Sequence, residues 1–428
     1  MLVGSGGREH ALAWRLVQED PTVEIIAAPG NPGISVLAEC VPVPATDVDG
    51  LLTLARVRGV TWTLVGPEAP LAAGIVDTFT AAGMPVFGPT RAAAMLETSK
   101  EFSKTLMNEA GIPTAKAIVC RSPGDARRAI DALSVPVVVK TSGLAAGKGV
   151  IVCNTVDEAN DAAASMLEGK AFGDAGTTIL VEEFMTGEEL SLFAITDGQH
   201  AVVLPPAQDH KRLLDGDKGP NTGGMGAYCP VSLVDRHAAL VDDVLERIVH
   251  PTLSAMRVRG TPFKGLLYVG LMITTSGPKV VEFNCRFGDP ETQAVLPALD
   301  PNARIGELMA TVARGDALRG DGLLRTTCSA VTTVLAVPGY PDAPRSGAQI
   351  TLPPATDDVL VFHAGTKRSA DGSLVTAGGR VLAVTGVGNS PEAAQRASIA
   401  AAGAITFIGK QFRTDIGSRE LARRAGTS

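Results

Sequence analysis

The stretch Lys279-Val280-Val281-Glu282-Phe283-Asn284 carries the sharpest chemical signal in the chain. A strand repeats every two residues, so it sets Glu282 and Asn284 on one face while Val281 and Phe283 enter the core. One carboxylate beside one amide oxygen is a small ligand set, of the kind that magnesium completes with phosphate oxygens and water. Arg286 follows on the same rim, where a guanidinium suits a carboxylate or an acyl phosphate. Asp289-Pro290-Glu291 reads instead as the cap of the next helix.

A second group points to phosphates. Gly143-Leu144-Ala145-Ala146-Gly147-Lys148-Gly149 resembles a Walker A loop. It is one residue short, has glycine where Ser or Thr would hold magnesium, and leads into a strand rather than a helix. The sequence predicts a glycine-rich hairpin turn, in which the amides about Gly143, Gly147 and Gly149, together with Lys148, close as a flap over a nucleotide. Lys140 ends the run Val137-Val138-Val139, where a lysine must snorkel or meet an anion, and beside this loop the anion is preferred. Glu182-Glu183-Phe184 ends a strand and could offer backbone groups to an adenine edge. Glu189, seven residues beyond Glu182, would then serve the ribose hydroxyls. Charge runs on connectors are usually only solvated, and it is position that singles these out.

The opening Gly4-Ser5-Gly6-Gly7-Arg8-Glu9 invites a dinucleotide reading, but Glu9 stands at the third glycine position and the second strand ends in Ala28-Pro29 without an acidic ribose ligand. What remains is a turn whose amides meet a phosphate at a helix start, with Arg8 beside it, or simply a packing turn. The stretch from Gln208-Asp209-His210-Lys211 to Asn221-Thr222-Gly223-Gly224-Met225-Gly226 has too few regular signals for a strand or helix, and a loop of about 20 residues suggests function. Its aspartates do not make an EF-hand, because Gly226 stands at the twelfth position. Its glycines, amides and basic groups suit a small, polar, anionic ligand. The six histidines show no metal spacing, and no nucleophile signature is present.

These residues need elements to position them. Short apolar runs at Leu2 to Val3, Glu24 to Ala28, Cys40 to Val43, Thr61 to Val65 and Pro85 to Phe87 alternate with helical stretches, which predicts a parallel sheet with its loops gathered at the carboxyl edge. Only three residues precede Gly4, which predicts either a strand starting upstream or a trimmed one. Residues 116–185 read as a small α+β module with a hairpin (Val135 to Lys140, Gly149 to Cys153), a helix near Asp157 to Leu167 and a strand Thr178 to Glu182. A helix near Asp235 to Met256 and a second hairpin, Leu266 to Thr274 with Lys279 to Phe283, follow. From about Arg325, strands Ala330 to Val337 and Val381 to Thr385 and a helix started by Ser390-Pro391 read as a further, smaller domain.

The 428 residues exceed one ordinary core. With 45% apolar and 19% charged residues and 47 glycines, the composition is that of a soluble α/β and α+β multidomain protein. A net charge of −7 provides no positive field for nucleic acid or an anionic membrane. The six scattered cysteines form no CxxC pair, no apolar run reaches the length of a membrane span, and no charged segment introduces a leader. A cytoplasmic protein is expected.

Taken together, Gly6-Gly7-Arg8-Glu9-His10-Ala11-Leu12, Val65-Gly66-Pro67-Glu68-Ala69-Pro70-Leu71, Gly143 to Gly149, Gln208-Asp209-His210-Lys211, Gly219 to Tyr228, Glu282 to Glu291 and Phe362-His363-Ala364-Gly365-Thr366 resemble the signature segments of the glycinamide ribonucleotide synthetases, in order and across essentially the whole chain. The resemblance implies an ATP-grasp fold with a Rossmann-like N-terminal domain (1–98), a mobile lid (116–185), a central domain (99–115 and 186–324) and a C-terminal domain (325–428). It implies a ligase that joins glycine to 5-phosphoribosylamine with ATP as co-substrate and Mg2+ or Mn2+ as cofactor; a monomer is expected. Carried onto matching positions, Lys104, Lys140, Glu182, Glu183, Phe184 and Glu189 would hold ATP together with the flap, and Glu282 and Asn284 the metal. Arg286, Asp209 and Lys211 would serve the chemistry, and Gly6, Gly7, Arg8, Asn31, Gly66, Pro67, Glu68, Asn221, Gly223, Gly224 and Met225 the remaining substrates. Thr141-Ser142 departs from the small-plus-acidic pair usual before Gly143. The same fold also carries other carboxylate-amine ligases and biotin-dependent carboxylases, and a catalytically idle nucleotide-binding module is the alternative of another class.

Overall fold

The computed structural model describes residues 1–143, 149–168, 177–236 and 239–426. Strands β1 (Leu2–Gly4), β2 (Ile26–Pro29), β3 (Glu39–Cys40), β4 (Thr63–Val65) and β5 (Val86–Phe87) form a sheet in the order β3-β2-β1-β4-β5 with every pair parallel. The three residues of β1 suffice for a central strand, because Leu2 pairs with both Ala27 and Leu64 and all three are buried. The third strand stops at Cys40 rather than Val43, since Pro42 and Pro44 remove the donors that would extend its ladder.

Strands β6 (Ala117–Cys120), β7 (Val137–Thr141), β8 (Val150–Cys153) and β9 (Ile179–Glu183) form an antiparallel sheet in the order β6-β9-β7-β8. Helices Pro123–Leu133 and Val156–Glu168 pack on it through Ala126, Ile130, Ala159 and Met166 against Val137, Val139 and Val181. The expected hairpin, helix and last strand of this module are present. The first of its helices was not anticipated, although Ser122, whose hydroxyl accepts from the Asp125 amide, and Pro123 mark its start.

The remaining strands are β10 (Glu188–Thr196), β11 (Ala201–Asp209), β12 (Arg212–Leu214), β13 (Lys218–Asn221), β14 (Gly226–Cys229), β15 (Gly265–Thr274), β16 (Gly277–Asn284), β17 (Gly322–Leu323), β18 (Ser329–Ala336), β19 (Val359–His363), β20 (Thr366–Arg368), β21 (Leu374–Thr376) and β22 (Arg380–Gly388). Among the described residues one sheet runs β16-β15-β10-β11-β14-β18-β22-β19, with β17 alongside β11. The ladder crosses residue 325 without a break, because Ala227 of β14 pairs with Thr332 of β18. Helix Glu291–Ala298, buried at all eight residues, lies against it. Helix Pro391–Ala404 covers β18 and β22, and the Ser390 hydroxyl accepts from the Ala393 amide at its start, as expected from Ser390-Pro391.

Three readings are corrected. The stretch 208–226 is not irregular: β11 runs to Asp209, β12 and β13 form a hairpin, and β14 begins at Gly226. Its turn needs positive φ at Gly216 (67°) and Asp217 (53°), and the carboxylates of Asp215 and Asp217 are held by Thr414, Arg413 and Arg419, some 200 residues away in sequence. The helix expected over Asp235 to Met256 is present, running without a gap from Leu240 to Val258, but it is not regular. Leu233–Arg236 precedes it, and it comprises Leu240–Val244, a π-helical turn Leu245–Val249 and His250–Val258, with Pro251 lacking the amide that a regular helix would use there. Lastly, β16 carries a bulge at Val281: Gly270 faces Glu282 but Leu271 faces Val280. Val280, not Val281, therefore enters the core with Phe283, while Glu282 and Asn284 remain on the open face.

Candidate active site

A cavity of about 990 Å³ lies between the β6–β9 sheet, the β10–β16 end of the large sheet and the loops of the N-terminal sheet. On the first wall the Glu182 carboxylate is buried between two ammonium groups, Lys140 Nζ at 2.8 Å and Lys104 Nζ at 3.3 Å. Lys104 also donates to Thr114 Oγ1 (2.7 Å) and the Ala115 carbonyl (3.1 Å). Lys140 reaches the Val281 carbonyl at 3.4 Å. Burial pulls Lys104 down to about 8, against the supporting charge of Glu182 and with the opposing charge of Lys140. Lys100, whose Nζ lies 3.4 Å from the Gly143 carbonyl, is lowered by burial as well. Two buried lysines and the half-buried Lys100, sharing few carboxylates, leave a wall that favours a polyanion. Glu183, 3.7 Å from Lys279, and the half-exposed ring of Phe184 form the lip above it, and Gly149 lines it from β8's end. Gly147 and Lys148 lie outside the described residues.

On the opposite wall stand Glu282 and Asn284. Burial pushes the Glu282 carboxyl up, but Lys211, Lys100, Lys140 and Arg286 outweigh it and hold the group below its usual range. Among the described residues, Asn284 Oδ1 accepts a 3.3 Å contact from Arg286 Nη2. Among the described residues no group of three acidic, His or Cys side chains forms a closed cage. The donor set therefore fits a hard cation that takes its other ligands from phosphate and water, as magnesium does.

Arg286 is itself clamped between two carboxylates, Glu97 Oε1 at 3.1 Å from Nη2 and Glu68 Oε2 at 3.4 Å from Nε. Glu97 is buried, accepts from the Cys285 amide (2.7 Å), and has its carboxyl pushed up by burial against the pull of Arg286. Deeper in, burial pushes Asp209 up to about 7; Lys211 opposes this, and Glu291 and Glu189 add to it. Lys211 forms an ion pair with Glu189. Glu291 Oε1 accepts from Tyr268 (3.1 Å) and Ser191 (3.2 Å). Asp289 does not cap the following helix; it accepts from Gln293 and faces Arg380 at 3.4 Å on the cavity wall. Glu97, Tyr268, Arg380 and Arg419 line the cavity and were missed, because each stands alone in sequence and becomes a neighbour only on folding; Glu291, read from the sequence as part of a helix cap, lines it too.

The glycine-rich opening turn is filled from within. The Glu9 carboxylate accepts from the Gly6 amide (2.6 Å) and from Arg8 Nε (2.6 Å), so it occupies the helix start where a phosphate would otherwise sit. Gly66 is required beside it, since a Cβ there would meet Glu9 Oε1 at 2.2 Å. Of this group, Arg8 and Glu68 line the cavity, whereas Gly6, Gly7, Gly66 and Pro67 stand behind them. Asn31 is buried as a tie, its amide donating to the Ser5 and His363 carbonyls at 2.8 Å each and its oxygen accepting from Gly33 and Ile34. Asn221 and Gly223 line the cavity; Gly224 packs on Pro290, and Met225 is fully buried.

Comparison with known proteins bears on this arrangement. Residues 1–97 match the N domain of phosphoribosylglycinamide synthetase, 98–292 its ATP-grasp (A) domain and 330–419 its C domain. The chain is similar to phosphoribosylamine-glycine ligase of Ralstonia nicotianae, 48% identical over 99% of both chains, and to that of Caulobacter vibrioides, 46% identical over 99% of both. The crystal structure of phosphoribosylamine-glycine ligase from Thermotoga maritima superimposes with a TM-score of 0.84 at 34% identity, over 97% of this chain and 98% of that one. Biotin carboxylase from Campylobacter jejuni shares the fold at 14% identity, with a TM-score of 0.73 over 96% and 92% of the two chains. The chain belongs to the phosphoribosylglycinamide synthetase family, with the N, ATP-grasp and C domains of that family in order along it.

Proposed function

We propose that the chain joins glycine to 5-phosphoribosylamine with ATP, giving glycinamide ribonucleotide, ADP and phosphate through glycyl phosphate. The observation that carries this reading is the facing of two walls in one cavity: Lys100, Lys104 and Lys140 around Glu182, and Glu282 with Asn284 beside Arg286. The lysines would hold the phosphates, the end of β9 at Glu183 and Phe184 the adenine edge, and Glu189 the ribose. Glu282 and Asn284 would hold Mg2+ or Mn2+, which when bound supplies positive charge to the terminal phosphates. Glycine's carboxylate, drawn to Arg286, attacks the γ-phosphorus; the phosphoribosylamine nitrogen then attacks the glycyl carbonyl and releases phosphate. Glycyl phosphate hydrolyses readily, so the 116–185 module acts as a lid that excludes water, over a central domain of 99–115 and 186–324.

Asp209 and Lys211, which line the same cavity, would serve the amine and carboxyl groups, and Arg8, Glu68, Asn221 and Gly223, also on its wall, the phosphosugar. The N-terminal sheet (1–98) and residues 325–428 frame that side of the cavity. No described helix is long and apolar enough to cross a membrane, and we place the enzyme in the cytoplasm. An ADP-release assay with each substrate omitted in turn tests the whole reading: release that does not require glycine, or that requires bicarbonate instead, would refute it.

A further inference from the structure

A short segment beyond the residues matched to the C domain reaches back beneath the cavity. Its Arg423 is buried and donates from Nη2 to Gln208 Oε1 at 2.6 Å and to Tyr228 Oη at 2.7 Å, while Nη1 pairs with Glu188. Gln208 in turn donates from Nε2 to the Glu189 carbonyl at 2.6 Å. The Glu189 side chain lines the cavity and pairs with Lys211. We infer that Arg423 is a positioning residue for the nucleotide, acting through the Gln208 amide on Glu189.

The physical reason lies in the sense of that amide. Gln208 must present its oxygen to one side and its NH2 to the other, and the side facing Glu189 is a carbonyl, so the NH2 belongs there. On the far side, Tyr228 cannot enforce this, because a phenol both donates and accepts. A guanidinium only donates. Arg423 is thus the partner that fixes the amide, and its second arm holds Glu188, the neighbouring residue on β10. Two consecutive residues at the cavity lip are tied to one buried cation. Arg423 also meets Glu420 Oε2 at 3.1 Å, which serves the docking of its own helix and would be its whole role if the inference were wrong.

The inference rests on the reading that Glu189 holds the nucleotide, and three variants separate the two. Glu189→Gln tests the reading, and ATP binding that is unchanged in it overturns both. With that loss established, Arg423→Met is expected to weaken ATP binding about tenfold by calorimetry, equivalent to about 1.4 kcal/mol, while leaving KM for glycine within about twofold. Gln208→Leu should weaken ATP to a similar degree, and the double variant should be no weaker than Gln208→Leu alone, because both remove one path. Unchanged ATP affinity in Arg423→Met, or losses that multiply in the double variant, would overturn the positioning role alone. Should Arg423→Met fail to fold, Arg423→Lys keeps a charge beside Glu420 without the fork and is read by the same criteria.

Discussion

ATP binding should take up protons, in an amount that grows with pH. Lys104 sits at about 8, pulled down chiefly by burial, whereas a free lysine sits at 10.5. A polyphosphate laid beside it restores the charged form, so the group is expected to return toward its ordinary value in the complex. From these values the uptake is about 0.1 proton per ATP at pH 7, about 0.5 at pH 8 and about 0.9 at pH 9, with Lys100 adding to it as its lowered group titrates. Calorimetry at each pH in two buffers of different ionisation enthalpy, with glycine left out so that Asp209 is not engaged, measures it directly. The linkage has a second face. Because the folded value lies below the unfolded one, the unfolded chain binds more protons between pH 8 and 10.5; the cost is fully present below 8 and vanishes above 10.5. The free protein should therefore gain up to about 3 kcal/mol through that window from this group, and saturating ATP should flatten the rise. Uptake that fails to grow between pH 7 and 9, or that survives unchanged in Lys104→Met, would refute the argument.

Glu282→Gln should lower turnover at least about a hundredfold while leaving the melting temperature within a few degrees, as expected for a nearly isosteric change on the open face of β16; near-normal turnover would remove the metal assignment. Glycine labelled with oxygen-18 in its carboxyl group should pass one labelled oxygen to inorganic phosphate, which mass spectrometry detects, and label in AMP would exclude attack at the γ-phosphorus. Gly66→Ala should cost about 2 kcal/mol in denaturant unfolding, because the new methyl displaces the Glu9 carboxylate from the Gly6 amide and Arg8. Arg413→Met should destabilise by about 2 kcal/mol, since it leaves Asp415 and Asp217 without their buried partner, and an unchanged midpoint would show that the hairpin turn holds itself.

Local signals made much of this legible. Strand alternation placed the parallel sheet, the two hairpins and the faces of β16 that carry Glu282 and Asn284, because those choices are made by residues two apart. The failures were of three kinds. The bulge at Val281 depends on the register against β15, which no single strand can display. The β12–β13 hairpin is polar and glycine-rich, and its order comes from Arg413, Thr414 and Arg419. Glu97 and Tyr268 have no motif around them, and Glu291 sits in one that reads as a helix cap; they matter through their nearness to Arg286 and Asp209. At Gly6 and Gly7 the sequence leaves a phosphate turn and a packing turn open, and what it does not display is that the Glu9 carboxylate takes the Gly6 amide.

The sheet that runs from β16 to β19 also has a consequence for how the chain is made. Strand β14 ends at Cys229 and its partner β18 begins at Ser329, so about a hundred residues must leave the ribosome between the two. At about 5–20 residues per second that interval is roughly 5–20 s. For that time β11 and β14 present an apolar, hydrogen-bonding edge with nothing to cover it, although helix Glu291–Ala298 arrives somewhat earlier. The nascent protein is thus most open to mispairing midway through synthesis, after Lys100, Lys104 and Lys140 have emerged and before the strands that close its sheet exist, and a chaperone would act in that interval.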